Sequence, residues 1–132
     1  MTNKDLAAKW YAHIDKQDIP ALKNLLDPAH RFSNPMAPAP VGVDEHLGMV
    51  QMMTSALKGA HTLERVISEG EYVAVQGRWK GKHVGEFNGV PATGKPVEFT
   101  FTDILHFQNG RIADEHLEMN PMAIMAQIGA MK

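Results

Sequence analysis

The sequence predicts an α+β domain in which helices cover one face of a curved antiparallel sheet. Three observations predict it: apolar residues recur at helical spacing through the first third, the period falls to two after Gly59, and short turn signals join the strands that follow. Strands joined in succession build an antiparallel sheet, and the helices that precede them can bury one of its faces.

Each element has its own signal. Leu6, Ala7, Trp10 and Ile14 give the apolar side of a first helix, with Thr2 or Asn3 as its cap. Asp18, two residues before Pro20, opens a second short helix with Leu22, Leu25 and Leu26 on its face, and Pro28 ends it. A short strand over residues 30–33 meets Asn34-Pro35, after which Pro38, Pro40 and Gly42 exclude regular structure. Residues 44–57 return to helix, with Leu47, Val50, Met53 and Leu57 on one side. Strands are then expected over 62–68, 72–84, 97–107 and 111–119. Residues 87–96 form a glycine- and proline-rich connection, and Asn109-Gly110 a tight hairpin turn. Pro121 opens a last short helix that runs out near Gly129.

Composition narrows the function. The 132 residues are 44% hydrophobic and 21% charged, which suits one globular domain over 1–132. A formal charge of −2 with no Lys/Arg cluster removes the electrostatic case for nucleic acid. Apolar runs fall short of the roughly 20 residues of a membrane helix, and the first residues lack a secretory signal, so a cytoplasmic protein is expected. The absence of cysteine rules out disulfides, thiolate nucleophiles and cysteine metal sites. His61, His83, His106 and His116 fall on different strands or faces, so no metal site is expected. No phosphate loop, dinucleotide fingerprint or nucleophile elbow occurs, and no cofactor is expected.

Alternation assigns the faces. Val73, Val75, Gly77, Trp79, Gly81 and His83 share one side of their strand, with Gln76, Arg78, Lys80 and Lys82 on the other. Asp103 interrupts the apolar row Val97, Phe99, Phe101, Leu105 and Phe107, and Ala113, Glu115, Leu117 and Met119 form one face of the last strand. Two acids and a histidine on apolar faces point to proton chemistry. A carboxyl buried there holds its proton and donates a hydrogen bond, and an imidazole transfers protons near neutral pH. The bland alternative is a structural pairing of Asp103 with His83, an arginine or a backbone donor.

The segment Gly81-Lys82-His83-Val84-Gly85-Glu86-Phe87-Asn88-Gly89-Val90-Pro91-Ala92-Thr93-Gly94-Lys95 resembles the G-x-H-x-G-x-F-x-G-x-P-x-T-G-K hairpin of SnoaL-like polyketide cyclases. Residues 109–116 resemble that family's D-G-K-I-x-E-H segment, and Gln127-Ile128-Gly129 its closing Q-L-G. More distantly, Phe32-Ser33-Asn34-Pro35 and Asp103-Ile104-Leu105-His106-Phe107 are similar to the base and oxyanion-hole segments of ketosteroid isomerase, with Trp10 at its catalytic tyrosine and Tyr11 one place along. The resemblance implies the nuclear transport factor 2-like, cystatin-like cone. Its curved sheet wraps helices around one internal pocket, and its outer sheet face often makes homodimers or tetramers. Two positions depart from the pattern: Asn34 stands at the isomerase's base, and Asn120 at the cyclases' aspartate once a one-residue deletion is allowed.

The expected reaction is cofactor-independent proton transfer beside a carbonyl of a small apolar or polyketide-like compound. Asp103 and Asn34 would stabilise the enolate, and His83 or Glu115 would be the base. Trp10, Tyr11, Trp79, Phe99, Phe101, Leu117, Met119 and Asn120 would meet the substrate, beside further apolar lining from Met49, Met52 and Met53. The alternative is a non-catalytic ligand-binding or assembly module on the same fold. Convergence of His83, Asp103 and Glu115 around a cavity would favour the enzyme.

Overall fold

The computed structural model describes residues 1–130. Thr2 and Asp5 start helix α1 (Asn3–Asp15) with a reciprocal capping box, each side chain accepting the other's backbone N–H at 3.0–3.1 Å. Ala7, Trp10 and Tyr11 form its buried side. Asp18 caps α2 (Ile19–Leu25) by accepting the N–H of Ala21, with Pro20 in the first turn. Helix α3 (Val43–Ala56) buries His46, Leu47 and Val50, and α4 (Pro121–Gln127) is capped by Asn120.

The five strands are β1 (Leu26–Ser33), β2 (Leu57–Glu69), β3 (Tyr72–His83), β4 (Pro96–Gln108) and β5 (Arg111–Met119). They form one curved, unclosed sheet in the order β1-β5-β4-β3-β2. Neighbours are antiparallel except β1 and β5, which run parallel. Strand β1 starts four residues before the expected 30–33 stretch and includes Leu26, expected on the helix. Its register on β5 slips between Leu26 and Arg31, across Pro28, which has no N–H to give a ladder. Leu57, expected at the end of α3, begins β2 instead, so β2 starts five residues before the expected 62. Asn109 (φ 53°) and Gly110 (φ 76°) make the tight β4–β5 turn, both with the positive φ that a two-residue type I′ hairpin requires.

The inner face is the expected one on β3 and β4. Val73, Val75, Trp79 and His83 are buried, as are Val97, Phe101, Asp103, Leu105 and Phe107. On β5 one residue changes place. A register shift between His106 and Phe107 pairs Phe107 with Ile112 and His106 with Asp114, so Ala113 is skipped. Ile112 takes the core position expected for Ala113, and Glu115 and Leu117 keep theirs. The apolar interior divides into two clusters. One lies under α1–α3 around Trp10, Leu22, Val75 and Phe107; the other, under α4, holds Leu57, Trp79, Phe87, Val97 and Ile124.

Two glycines of β3 bring large rings against the sheet. A Cβ on Gly77 would stand 2.8 Å from Phe101 Cζ, and one on Gly81 would stand 2.5 Å from Trp79 Cη2. Both rings therefore lie over bare backbone. No helix among the described residues is long and apolar enough to cross a membrane.

Candidate active site

A cavity of about 120 Å³ lies between the two core clusters. Helix α1 supplies Trp10 and Tyr11, α3 supplies His46, Met49, Val50 and Met53, and the sheet supplies His61, Trp79, Phe99, Phe101, Asp103, Glu115, Leu117 and Met119. Phe32 and Met36 add the side near the proline-rich loop, and Met36 is partly open to solvent. The expected lining residues Trp10, Tyr11, Trp79, Phe99, Phe101, Leu117, Met119, Met49 and Met53 all reach the cavity. Met52 does not, because it sits on the outward side of α3 and is 55% exposed.

Asp103 and Glu115 come together at one wall. Leu105 faces Glu115 across the β4–β5 ladder and Asp103 faces Leu117, so the two acids are diagonal neighbours on one face. Both are buried, and each carboxyl shifts the other's hold on its proton. The Tyr11 hydroxyl donates to Asp103 Oδ2 at 2.5 Å. Among the described residues Asp103 Oδ1 and Glu115 Oε1 are buried without a hydrogen-bond partner, so a proton kept by the pair has no protein acceptor fixed at either atom. Burial raises the pKa of both acids. For Glu115 the charge of Asp103 adds to burial and the rise is large; for Asp103 the hydrogen bonds from Glu115 and Tyr11 oppose it. Glu115 thus holds the proton and Asp103 the charge. Tyr11 is also pushed well above its ordinary value, by burial and then by the charge of Asp103, so it stays a phenol. The resemblance had set Trp10 at the tyrosine position; in space it is Tyr11, one place along, that bonds Asp103, and Trp10 packs beside His46 with ring centres 5.3 Å apart.

His83 does not join them. It is fully buried at the end of β3, outside the cavity lining. Its Nδ1 accepts the Thr93 N–H at 3.2 Å and lies 2.9 Å from Thr93 Oγ1, while its backbone bonds Gly94 and Lys95. The His83…Thr93-Gly94-Lys95 portion of the hairpin motif is therefore a clasp on the 84–95 connection. Because Nδ1 accepts, the ring proton is on Nε2, which is buried without a partner among the described residues. His83→Ala is expected to cost about 1–3 kcal/mol in urea unfolding, the range for stripping a buried hydrogen bond. A change below about 0.5 kcal/mol would contradict the clasp.

The two amides at the usual carboxylate positions shape the chain. Asn34 Oδ1 accepts the Met36 N–H at 2.9 Å, an Asx turn into the proline-rich loop, and Asn34 is not on the cavity wall. Asn120 Oδ1 accepts the Met122 N–H as the cap of α4, and its side chain is exposed away from the cavity.

Two histidine pairs were not foreseen. His30 Nδ1 lies 3.0 Å from the Ile112 carbonyl, and His30 Nε2 lies 2.9 Å from His46 Nδ1. A carbonyl only accepts, so His30 carries its proton on Nδ1 and accepts from His46 Nδ1–H, which leaves His46 Nε2 as a lone pair. Burial, then the neighbouring His30, lowers His46 to a pKa of about 3, so it is neutral near pH 7. His30, His46 and Glu115 bring candidate ligand atoms within 4.8 Å of one another. The ring-to-ring hydrogen bond already uses one nitrogen of each histidine, so the arrangement is that of a hydrogen-bonded chain more than a metal centre. Across the cavity Asp15, at the end of α1, holds His61 of β2 at 2.6 Å. A seven-residue step from Met53 back to His46 puts it on the face read from Leu47, Val50 and Met53. The alternation Leu57, Gly59, His61, Leu63 marks His61 as inward once β2 begins at Leu57.

The fold and the sequence have known counterparts. Residues 4–128 match the model of the family described as SnoaL-like polyketide cyclase. No curated protein matches the chain in sequence. Among solved structures, IdmH, a putative polyketide cyclase from Streptomyces antibioticus, is 25% identical with a TM-score of 0.87, covering 98% of this chain and 99% of its own. AclR, a putative hydroxylase from Streptomyces galilaeus, superimposes with a TM-score of 0.88 at 18% identity, over 98% and 96% of the two chains. A putative SnoaL-like polyketide cyclase from a Jannaschia species gives 0.86 at 20%, over 97% and 92%. With a family match across nearly its whole length and the same fold in these relatives, the chain belongs to the SnoaL-like polyketide cyclase family.

Proposed function

We propose that the protein is a cofactor-independent cyclase or isomerase that moves a proton beside the carbonyl of a small, largely apolar, polyketide-like compound. One observation carries this reading: the buried Asp103–Glu115 pair, bonded to Tyr11, stands at the wall of an otherwise apolar cavity. Removing a proton beside a carbonyl leaves negative charge on the carbonyl oxygen. A pre-placed donor in a site that excludes water stabilises that charge far better than water does. The proton held by the Asp103–Glu115 pair is such a donor, and Tyr11 fixes its direction. The cavity volume of about 120 Å³ is close to the roughly 150 Å³ of an engineered cavity that takes benzene, so it encloses about one ring of a ligand. His46, with its lone pair on Nε2, would accept from a hydroxyl of such a ligand.

The test follows α-hydrogen exchange of 2-indanone in D₂O by proton NMR. The wild type is expected to accelerate exchange, and Asp103→Asn to lose most of that acceleration. Binding of 2-indanone without any exchange would move the protein to the class of ligand-binding modules.

A further inference from the structure

We propose that His61, oriented by Asp15, is the general base of this cavity; this deepens the proton-transfer reading and rests on it. The argument begins with Asp15, whose two carboxylate oxygens both go to one residue. Oδ1 accepts from the His61 ring at Nδ1, 2.6 Å away, and Oδ2 accepts the His61 backbone N–H at 3.0 Å. Two-point attachment fixes the imidazole against the end of α1. An ionised carboxylate only accepts, so Nδ1 carries the ring proton and the lone pair is on Nε2. An imidazole set in one tautomer by a carboxylate is the arrangement that makes histidine a directed base in hydrolases of unrelated fold.

Position supports the role. His61 faces Trp79 across the β2–β3 ladder and lines the cavity. Tyr11 lies against it at 5.2 Å between ring centres, and Phe101 meets it edge-on at 5.4 Å. Among the described residues Nε2 has no hydrogen-bond partner, and it is not enclosed, so it is free to meet a ligand. Among the described residues, titratable groups that face the ring include Asp15 and Tyr11 from α1 and Asp103 from β4, with Glu115 of β5 on the same cavity lining. Tyr11 spans the two poles: its ring packs on His61 and its hydroxyl bonds Asp103. Base and acid therefore flank the same tyrosine in the cavity wall.

Other candidates fit less well. His46 is too weak a base, Glu115 already holds a proton, and His83 is outside the cavity. In the step itself, the Nε2 lone pair takes the α-hydrogen as a proton. The C–H electron pair becomes the C=C bond of the enolate, and the carbonyl π pair moves to oxygen, where the dyad's proton receives it. The imidazolium then returns its proton to another carbon of the conjugated system, which is isomerisation. Alternatively the enolate carbon bonds a second carbonyl of the same molecule and the new alkoxide takes the proton, which is cyclisation.

The experiment compares 2-indanone exchange in the wild type, His61→Gln, Asp15→Asn, Asp15→Glu and Asp103→Asn, with circular dichroism as the check on folding. His61→Gln is expected to lower exchange at least about 100-fold with 2-indanone binding kept, as for loss of a general base. Asp15→Asn should lower kcat by about tenfold or more at nearly constant KM, and Asp15→Glu should recover part of it. In ¹⁵N spectra of the neutral ring, His61 Nε2 should carry the unprotonated signature. Exchange by His61→Gln within threefold of wild type, while Asp103→Asn loses it, would overturn this role and leave the dyad's role standing. A proton on Nε2 of the neutral ring would overturn it equally. No exchange by the wild type, or none lost in either variant, would sink the proton-transfer reading and this inference with it.

Discussion

Asp103→Asn is expected to lower the rate of 2-indanone exchange by about 10²–10⁴, the combined range for removing a transition-state donor and an acid–base group. Asparagine is close in shape and its amide oxygen still accepts from Tyr11, so the wall stays closed and the cap on the Tyr11 hydroxyl survives. What disappears is the carboxylate whose charge holds the proton on Glu115. Asp103→Leu goes further, leaving the buried Tyr11 hydroxyl without its acceptor, and should lose exchange while the chain still folds. Turnover of an identified substrate unchanged in either variant would remove Asp103 from the chemistry. A parallel loss of exchange and of circular-dichroism signal would mean the fold was lost, which is why the asparagine variant is decisive.

Glu115→Gln should make the protein progressively more stable than wild type as pH rises. The folded chain holds the Glu115 proton well above the model value of 4.5, because of burial and then the charge of Asp103. Above pH 4.5 the unfolded chain releases this proton while the folded chain keeps it. The folded state then binds more protons, so wild-type stability falls as pH climbs toward the folded pKa; at pH below 4.5 both forms are protonated and the contribution is fully present. Glutamine has no proton to lose. The difference between the two proteins should grow by up to about tenfold in the unfolding equilibrium constant per pH unit. His46 and His30, lowered by burial, act in the opposite sense below about pH 6.5, but they are common to both proteins and cancel. Urea midpoints measured from pH 5 to 8 decide it: a constant difference would place Glu115 in the folded state as an ordinary ionised carboxylate.

The sequence spoke clearly where one periodicity ran without interruption. Strands β3 and β4 alternate over a dozen residues, so the inward position of Asp103 was readable, and so was Glu115 on the same face. Legibility failed wherever the backbone broke its period. The bulge that skips Ala113 has no residue-type signature, and Ile112 was therefore misplaced. Leu57 continues the apolar face of α3, so the turn into β2 was hidden, and with it the inward setting of His61. The hairpin motif made His83 look chemical because a buried histidine that clasps a loop has the same sequence as one that transfers protons. Asn34 and Asn120 looked like vacated base positions, yet each oxygen turns the chain. Pairs such as Asp15 with His61, 46 residues apart, depend on where a helix end meets a strand, and no local pattern encodes that.

Beside the fixed polar groups the cavity lining contains Met36, Met49, Met53 and Met119. Thioether side chains are unbranched and turn about three bonds, so they refill space with little strain. An arriving ligand meets a boundary that reshapes by rotamer, at a cost of up to about 2 kcal/mol of lost freedom for each methionine it orders. Shape tolerance and reaction chemistry are thereby held by different residues. Lineages of this fold could exchange one substrate skeleton for another through those four positions while His61, Asp15, Tyr11, Asp103 and Glu115 stay where they are.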